Sequence, residues 1–244
     1  MARKFPNARV KGTDLSVIQP SNAPGNVDWE ISDCTDEVWD RKTSSMDFIH
    51  VSMLFGALSR YDEMIKRAKE YLVKGTGWIE CRELLPTVFS DDNSIPEGWA
   101  FGQWLERYCQ ASQRLRPQKQ VMVADKLKKW MEEAGYVDVH EFFKPIPIGD
   151  WPSEGRRARK AGVLWRENLE KALQGWSYKT LGQNGWGMER EEIEVLLAGA
   201  RADLRNPNIH AYQKVYCIYG RRPTDAEADT LREKGHKGEQ RTNR

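Results

Sequence analysis

Residues 9–20, Arg-Val-Lys-Gly-Thr-Asp-Leu-Ser-Val-Ile-Gln-Pro, constrain this chain more than any other stretch. They read as a short strand over 10–13 that ends on the carboxylate of Asp14 and is closed by Pro20. In a doubly wound α/β sheet, an acid at the carboxyl end of the second strand accepts hydrogen bonds from a nucleoside ribose. A Gly-rich turn about 20 residues ahead of that acid ordinarily holds the rest of such a ligand. Here thirteen residues precede Asp14, and none of the first eleven is glycine. The sequence therefore reads as one that starts in the middle of a nucleotide-binding fold.

The rest of the chain keeps to that fold class. Residues 1–8 read as the last turn of a helix and 21–26 as a loop. Val27, Trp29 and Ile31 alternate with Asp28, Glu30 and Ser32, which predicts a strand ending at Asp33-Cys34. The apolar run 46–54 suits a buried parallel strand. Ser59, with Asp62 three residues on, predicts a capped helix. Tyr61, Met64, Ile65, Ala68 and Leu72 form its apolar face, and Gly75 stops it. A strand over 78–84, a loop over 86–98 and a Trp/Phe-rich helix over 99–112 follow. Ala124, Leu127, Met131 and Ala134 line a further helix ended by Gly135. Residues 137–143 read as a strand stopped by Pro145 and Pro147. Helical periodicity fills 153–205, and 212–219 is a last strand, free to run antiparallel after its long detour. The expected architecture is an α/β sheet with helices on both faces. One domain spans 1–223, with a helical cap over about 150–205, and the charged residues 224–244 form a disordered tail.

Charge and cysteine usage narrow the function classes. A net charge of +2 points to neither nucleic acid nor an anionic membrane. No apolar run reaches the length of a membrane span, and the first residues hold no apolar signal core. Four scattered cysteines suit a reducing compartment, hence an intracellular protein, cytoplasmic or nuclear. The four histidines show no ligand spacing, so no zinc site is expected.

Several segments then take on meaning together. They are Phe5-Pro6, Gly12-Thr13-Asp14-Leu15-Ser16-x-Ile18-Gln19-Pro20, Asp47-Phe48-Ile49-His50 and Gly77-Trp78-Ile79-Glu80. Leu127-x-x-Trp130, Ala134-Gly135-Tyr136-Val137-Asp138-Val139, Pro147-Ile148-Gly149-x-Trp151-Pro152 and Ile209-His210-Ala211-Tyr212 complete the set. This ordered set resembles the fungal S-adenosylmethionine-dependent methyltransferases of the LaeA-like family, from about residue 4 to Pro223. The resemblance implies a class I methyltransferase (Rossmann-like) sheet whose last strand is antiparallel. It implies S-adenosyl-L-methionine as cofactor and a place in fungal secondary metabolism. The family's first strand and Gly-rich loop have no counterpart in these residues, so the chain is expected to be an N-terminally truncated member with compromised cofactor binding.

By the same resemblance, Asp14 would bind the ribose hydroxyls and Leu15 would pack on the adenine. Asp33 would accept from the adenine amino group, the Cys34 backbone would pair with the ring, and His50 would lie in the strand that approaches the methyl group. Each acid has a plainer alternative as a strand-end turn former, and His50 as a satisfied core residue. Methyl transfer from a sulfonium rests largely on alignment and desolvation, so no catalytic residue is demanded of the sequence. Trp99, Phe101, Trp104, Tyr108, Trp165 and Trp176 would form either an aromatic acceptor pocket or the core of the cap. The basic cluster Arg156-Arg157-Ala-Arg159-Lys160 reads as a solvated helix face.

Without the first strand, strands 9–14 and 46–54 lose their shared neighbour. They would pair with each other, borrow a strand from another chain, or belong to a fragment that folds poorly, and uncovered apolar edges would drive self-association. The expected function is a tailoring or accessory role on a small aromatic metabolite. The alternative is a non-catalytic regulatory module that keeps the fold and binds a protein partner.

Overall fold

A computed structural model describes residues 1–115, 117–152 and 155–242. The chain divides into two units, Met1–Lys42 and Thr43–Arg244.

The first unit is a two-stranded parallel sheet of β1 (Val10–Asp14) and β2 (Val27–Ile31), in register from Val10 opposite Val27 to Asp14 opposite Ile31. The Trp29 ring lies across Gly12, where an added Cβ would sit 2.0 Å from a ring carbon. Glycine is required there because the indole occupies the space of a side chain. Residues 1–8 are turns, where the sequence suggested the end of a helix. The Asn26 side-chain amide donates to the carbonyls of Phe5 (3.0 Å) and Ala8 (2.9 Å), which gathers the segment into turns. Glu30 takes Arg41 at 2.9 Å and Lys11 at 3.5 Å. The Arg41 hydrogen bond, first among the causes, holds its carboxyl below the usual range. The strand stops at Ile31, two residues short of the expected Asp33, where the turn around Asp33 takes over.

The second unit holds a four-stranded sheet of order β3-β4-β6-β5. These strands are β3 (Phe48–Ser52), β4 (Trp78–Phe89), β5 (Val137–Pro147) and β6 (Tyr212–Arg221). β3 and β4 are parallel, and β6 enters antiparallel between β4 and β5. β1 pairs with β2 alone, so the expected alternative of direct pairing between strands 9–14 and 46–52 is not found among the ladders. β5 runs through Pro145 and Pro147, where the sequence suggested a stop. Proline lacks an amide donor, and an edge strand such as β5 tolerates that loss.

Helix α1 (Tyr61–Tyr71) lies between β3 and β4 in sequence, and its apolar face is buried as predicted, Tyr61, Ile65, Ala68 and Leu72 completely. Its start differs from the expected Ser59 cap. Residue 60 is the N-cap, and the Tyr61 amide is met by the distant Gln120 Oε1 at 2.7 Å. Gln120 also bridges Gly56 and Leu58 through its backbone, which fixes the chain one residue later than the local signal. Asp62 instead pairs with Arg60 at 3.0 Å. Gly75 lies beyond the helix end, in a left-handed turn at φ 76°, and Arg222 covers the terminal carbonyls of Glu70 and Leu72.

A short 3₁₀ turn (Ala124–Lys126) leads into α3 (Leu127–Glu133), which Gly135 ends at φ 76° as expected. The cap region consists of α2 (Ala100–Ser112), α4 (Arg156–Leu181) and α5 (Arg190–Leu204). Residues 153 and 154, at the start of the predicted helical stretch, lie outside the described residues. Arg156, Arg157, Arg159 and Lys160 are exposed on α4. Residues 224–244 were expected as a disordered tail, but helix α6 (Asp225–Thr242) occupies most of them. Its first turn is held by a capping box between Thr224 and Glu227, by Arg221 on Glu227 and by Lys74 on Asp225. The sequence reading weighed the low apolar content and missed this polar anchor.

Candidate functional site

In the first unit, Asp14 and Asp33 leave the same end of the parallel pair. The Ser32 amide donates to the Asp14 carbonyl at 3.1 Å, so the two strand ends are neighbours. Asp14 Oδ1 accepts from the Ser16 amide at 2.9 Å, and Asp33 Oδ1 accepts from the Thr35 amide and hydroxyl at 2.8 and 2.7 Å. Each acid thus forms its own turn, as the plainer reading anticipated. Oδ2 of Asp14 accepts no hydrogen bond among the described residues. Leu15 beside it is 67% exposed, and the Cys34 carbonyl accepts from the Trp39 indole at 3.2 Å. A ribose diol and an exocyclic amine are donors, so a pair of acceptor carboxylates at one strand end fits an adenosine chemically.

His50 belongs to the second unit and sits in mid-strand on β3, opposite Glu80 in register. Its Nδ1 lies 3.0 Å from Glu80 Oε1, and its ring stacks on Phe48 at 6.4 Å. The side chain is 39% exposed, so it is a cross-strand partner on an open face and not a core histidine. The carboxyl end of β3 is shaped by a residue the sequence reading passed over. Glu83 on β4 is fully buried and accepts from the amides of Leu54 (2.8 Å) and Phe55 (3.1 Å) and from the Tyr61 hydroxyl (2.8 Å). Burial raises its carboxyl above the usual range, against the lowering effect of those three donors. Met53, just before, adopts a left-handed φ of 58°, which the Glu83 clamp on the next two amides enforces.

The loops that follow β4 and β5 meet the entry to β6. His210 Nδ1 lies 2.5 Å from Asp92 Oδ2, the Tyr212 hydroxyl donates to Asp91 at 2.9 Å, and Trp151 stacks on the imidazole at 5.2 Å. Hydrogen bonds from Ser94, His210 and Ser90 hold the Asp92 carboxyl below the usual range. The motif containing His210 and Tyr212 was visible in the sequence. Its partner Asp92 lies 118 residues away, with no local signal to join them.

Five of the six aromatics, Trp99, Phe101, Trp104, Tyr108 and Trp165, are buried in the core, and Trp176 packs half-buried against them. Phe101 and Trp104 are fully buried, and Trp104 stacks on Phe101, Tyr108 and Trp176 at 5.4, 5.5 and 6.3 Å. The Trp165 indole donates to Gln213 at 3.0 Å. The packing of these rings supports their reading as core.

Comparison with known proteins accords with this arrangement. Residues 1–141 match the family model described as "Methyltransferase domain". The chain is 28% identical over 225 residues to "Secondary metabolism regulator LAE1" of Cochliobolus heterostrophus, covering 91% of this chain and 72% of that protein. It is 29% identical over 224 residues to "Methyltransferase pytC" of Aspergillus terreus, covering 91% and 67%. Among solved structures, phosphoethanolamine N-methyltransferase 2 of Haemonchus contortus, in complex with S-adenosyl-L-methionine, aligns with a TM-score of 0.50 at 12% identity. That alignment covers 91% of this chain and 46% of the other. The fold is thus of the class I methyltransferase type, and the chain belongs to the methyltransferase domain family, with LaeA- and pytC-like fungal methyltransferases as its homologues.

Proposed function

We propose that this chain is an S-adenosyl-L-methionine-dependent protein of fungal secondary metabolism that acts on a small aromatic metabolite in a tailoring or accessory role. The observation that carries the reading is the pair of carboxylates, Asp14 and Asp33, leaving one end of a parallel sheet. Asp14 would hold the ribose hydroxyls through its uncommitted oxygen, Asp33 the adenine amine, with Leu15 and the Cys34 backbone beside the ring. When bound, the cofactor supplies an activated methyl group. Residues 1–13 contain one glycine, Gly12, and it is spent on Trp29, so the methionyl half gains no Gly-rich backbone cradle from them.

A non-catalytic interaction module is the second reading. It is favoured by the fact that both acids already serve their own turns. β1 and β3 each lie at an edge of their sheets, and such edges can recruit another chain. No helix among the described residues is long and apolar enough to cross a membrane; a cytoplasmic or nuclear place is part of the proposal and rests on the scattered cysteines of the sequence.

The test is transfer of a tritiated methyl group from the cofactor to a panel of phenolic and indolic acceptors. Slow transfer above the protein-free control, abolished by Asp14→Ala, is expected. Cofactor binding without transfer to any acceptor would favour the second reading, and neither binding nor transfer would refute the first.

A further inference from the structure

The sheet face that carries His50 holds an open depression of about 490 Å³ lined by Phe48, Trp78, Tyr219, Asp47 and Glu80. It lies at the amino ends of β3 and β4, away from Met53 and Asp92. Phe48 stands opposite Trp78 and Glu80 opposite Tyr219, so three adjacent strands each present one ring to the same space. The Trp78 and Tyr219 centroids are 5.9 Å apart and the rings are tilted by 49°. A cation in the depression can therefore lie within about 6 Å of both centroids, the range of cation–π attraction. His50 stacks on Phe48 and keeps that third wall upright.

The charges around the depression select the ligand. Glu80 is shared between His50 (3.0 Å) and Arg82 (3.2 Å). Arg221, opposite Trp78, is engaged by Asp138 (2.7 Å) and Glu227 (2.8 Å). Asp47 is exposed and has no ion pair or side-chain hydrogen bond among the described residues, so its charge is the uncompensated one at the rim. Aromatic walls with an uncompensated carboxylate repel anions and give a strongly hydrated ammonium too few hydrogen bonds. An alkylated ammonium, weakly hydrated and cationic, gains from both.

We propose that this depression binds an alkylated ammonium group carried by a small molecule. The volume falls in the ordinary range of small-molecule sites, roughly 300–1,000 Å³, and exceeds what a trimethylammonium head alone requires.

The test is calorimetric titration of the full chain with choline, with its uncharged carbon analogue 3,3-dimethylbutan-1-ol, and with a trimethyl-lysine peptide. Choline is expected to bind at least about tenfold more tightly than the neutral analogue. Trp78→Ala should weaken choline binding by about tenfold, and Asp47→Asn by several-fold. Asp47 is exposed, so its variant needs no repacking and decides the matter should Trp78→Ala fail to fold. Tighter binding of the peptide than of choline would keep the ammonium chemistry and reassign its source to a modified side chain. Equal affinity for the neutral analogue, no binding of either cation, or choline binding unchanged in Asp47→Asn would overturn the proposal.

Discussion

Replacing Glu83 by alanine is expected to destabilise the second unit by about 2–5 kcal/mol, because two backbone amides lose their acceptor in a buried setting. The Leu54 and Phe55 amides have Glu83 as their acceptor, and the Tyr61 hydroxyl loses its partner with them. Glu83→Gln keeps the shape, yet sets an amide nitrogen against the Phe55 N–H, at a cost of about 1–3 kcal/mol. The pH dependence has a definite sign. Burial raises the folded-state pKa of Glu83, so the stability this group contributes is full below the ordinary carboxylate range and is lost as pH rises through the raised value. Glu83→Gln should remove that decline. Urea denaturation of wild type and both variants across pH 4–8 measures all three effects. A Glu83→Ala variant within about 0.5 kcal/mol of wild type would mean that the loop after β3 has another anchor.

The second large effect is expected at Trp104. It is fully buried between Phe101, Tyr108 and Trp176, and its indole donates to the Ser177 hydroxyl at 2.8 Å. Trp104→Ala should cost about 3–5 kcal/mol, from lost burial plus the cavity left behind. Trp104→Phe should cost far less. Ser177 keeps its bond to the Leu173 carbonyl, so the hydroxyl is not orphaned. Denaturation curves, with near-ultraviolet circular dichroism to follow the aromatic column, check this. A small loss for Trp104→Ala would indicate a loosely packed cap and would reopen the acceptor-pocket reading of these rings.

Periodicity made much of the fold legible. The face of α1, the parallel run in β3, the helices of the cap and the late strand β6 follow from spacing alone, because each buries one side of a regular element. What spacing missed depends on partners far away in sequence. Gln120 moved the start of α1, Arg222 covers its end, and Thr224 with Glu227 ordered a helix where the composition suggested none. The strand-end acid Asp14 was readable as such, since it closes β1, whereas Asp33 lies in the turn two residues beyond the end of β2. The clamp made by Glu83 was not readable. A glutamate in an apolar strand carries no local sign that it faces inward, and its donors come from a loop and a helix 22 to 29 residues away. The pairing of Asp92 with His210 escaped for the same reason.

Asp14 is expected to hold the ribose of S-adenosyl-L-methionine. Calorimetric titration of the 244-residue chain with S-adenosylhomocysteine tests it most directly. A measurable dissociation constant for the wild-type chain is the expected result. Asp14→Ala should weaken binding by about tenfold. Binding that Asp14→Ala leaves unchanged, or no binding by the wild-type chain, would rule out that role for Asp14.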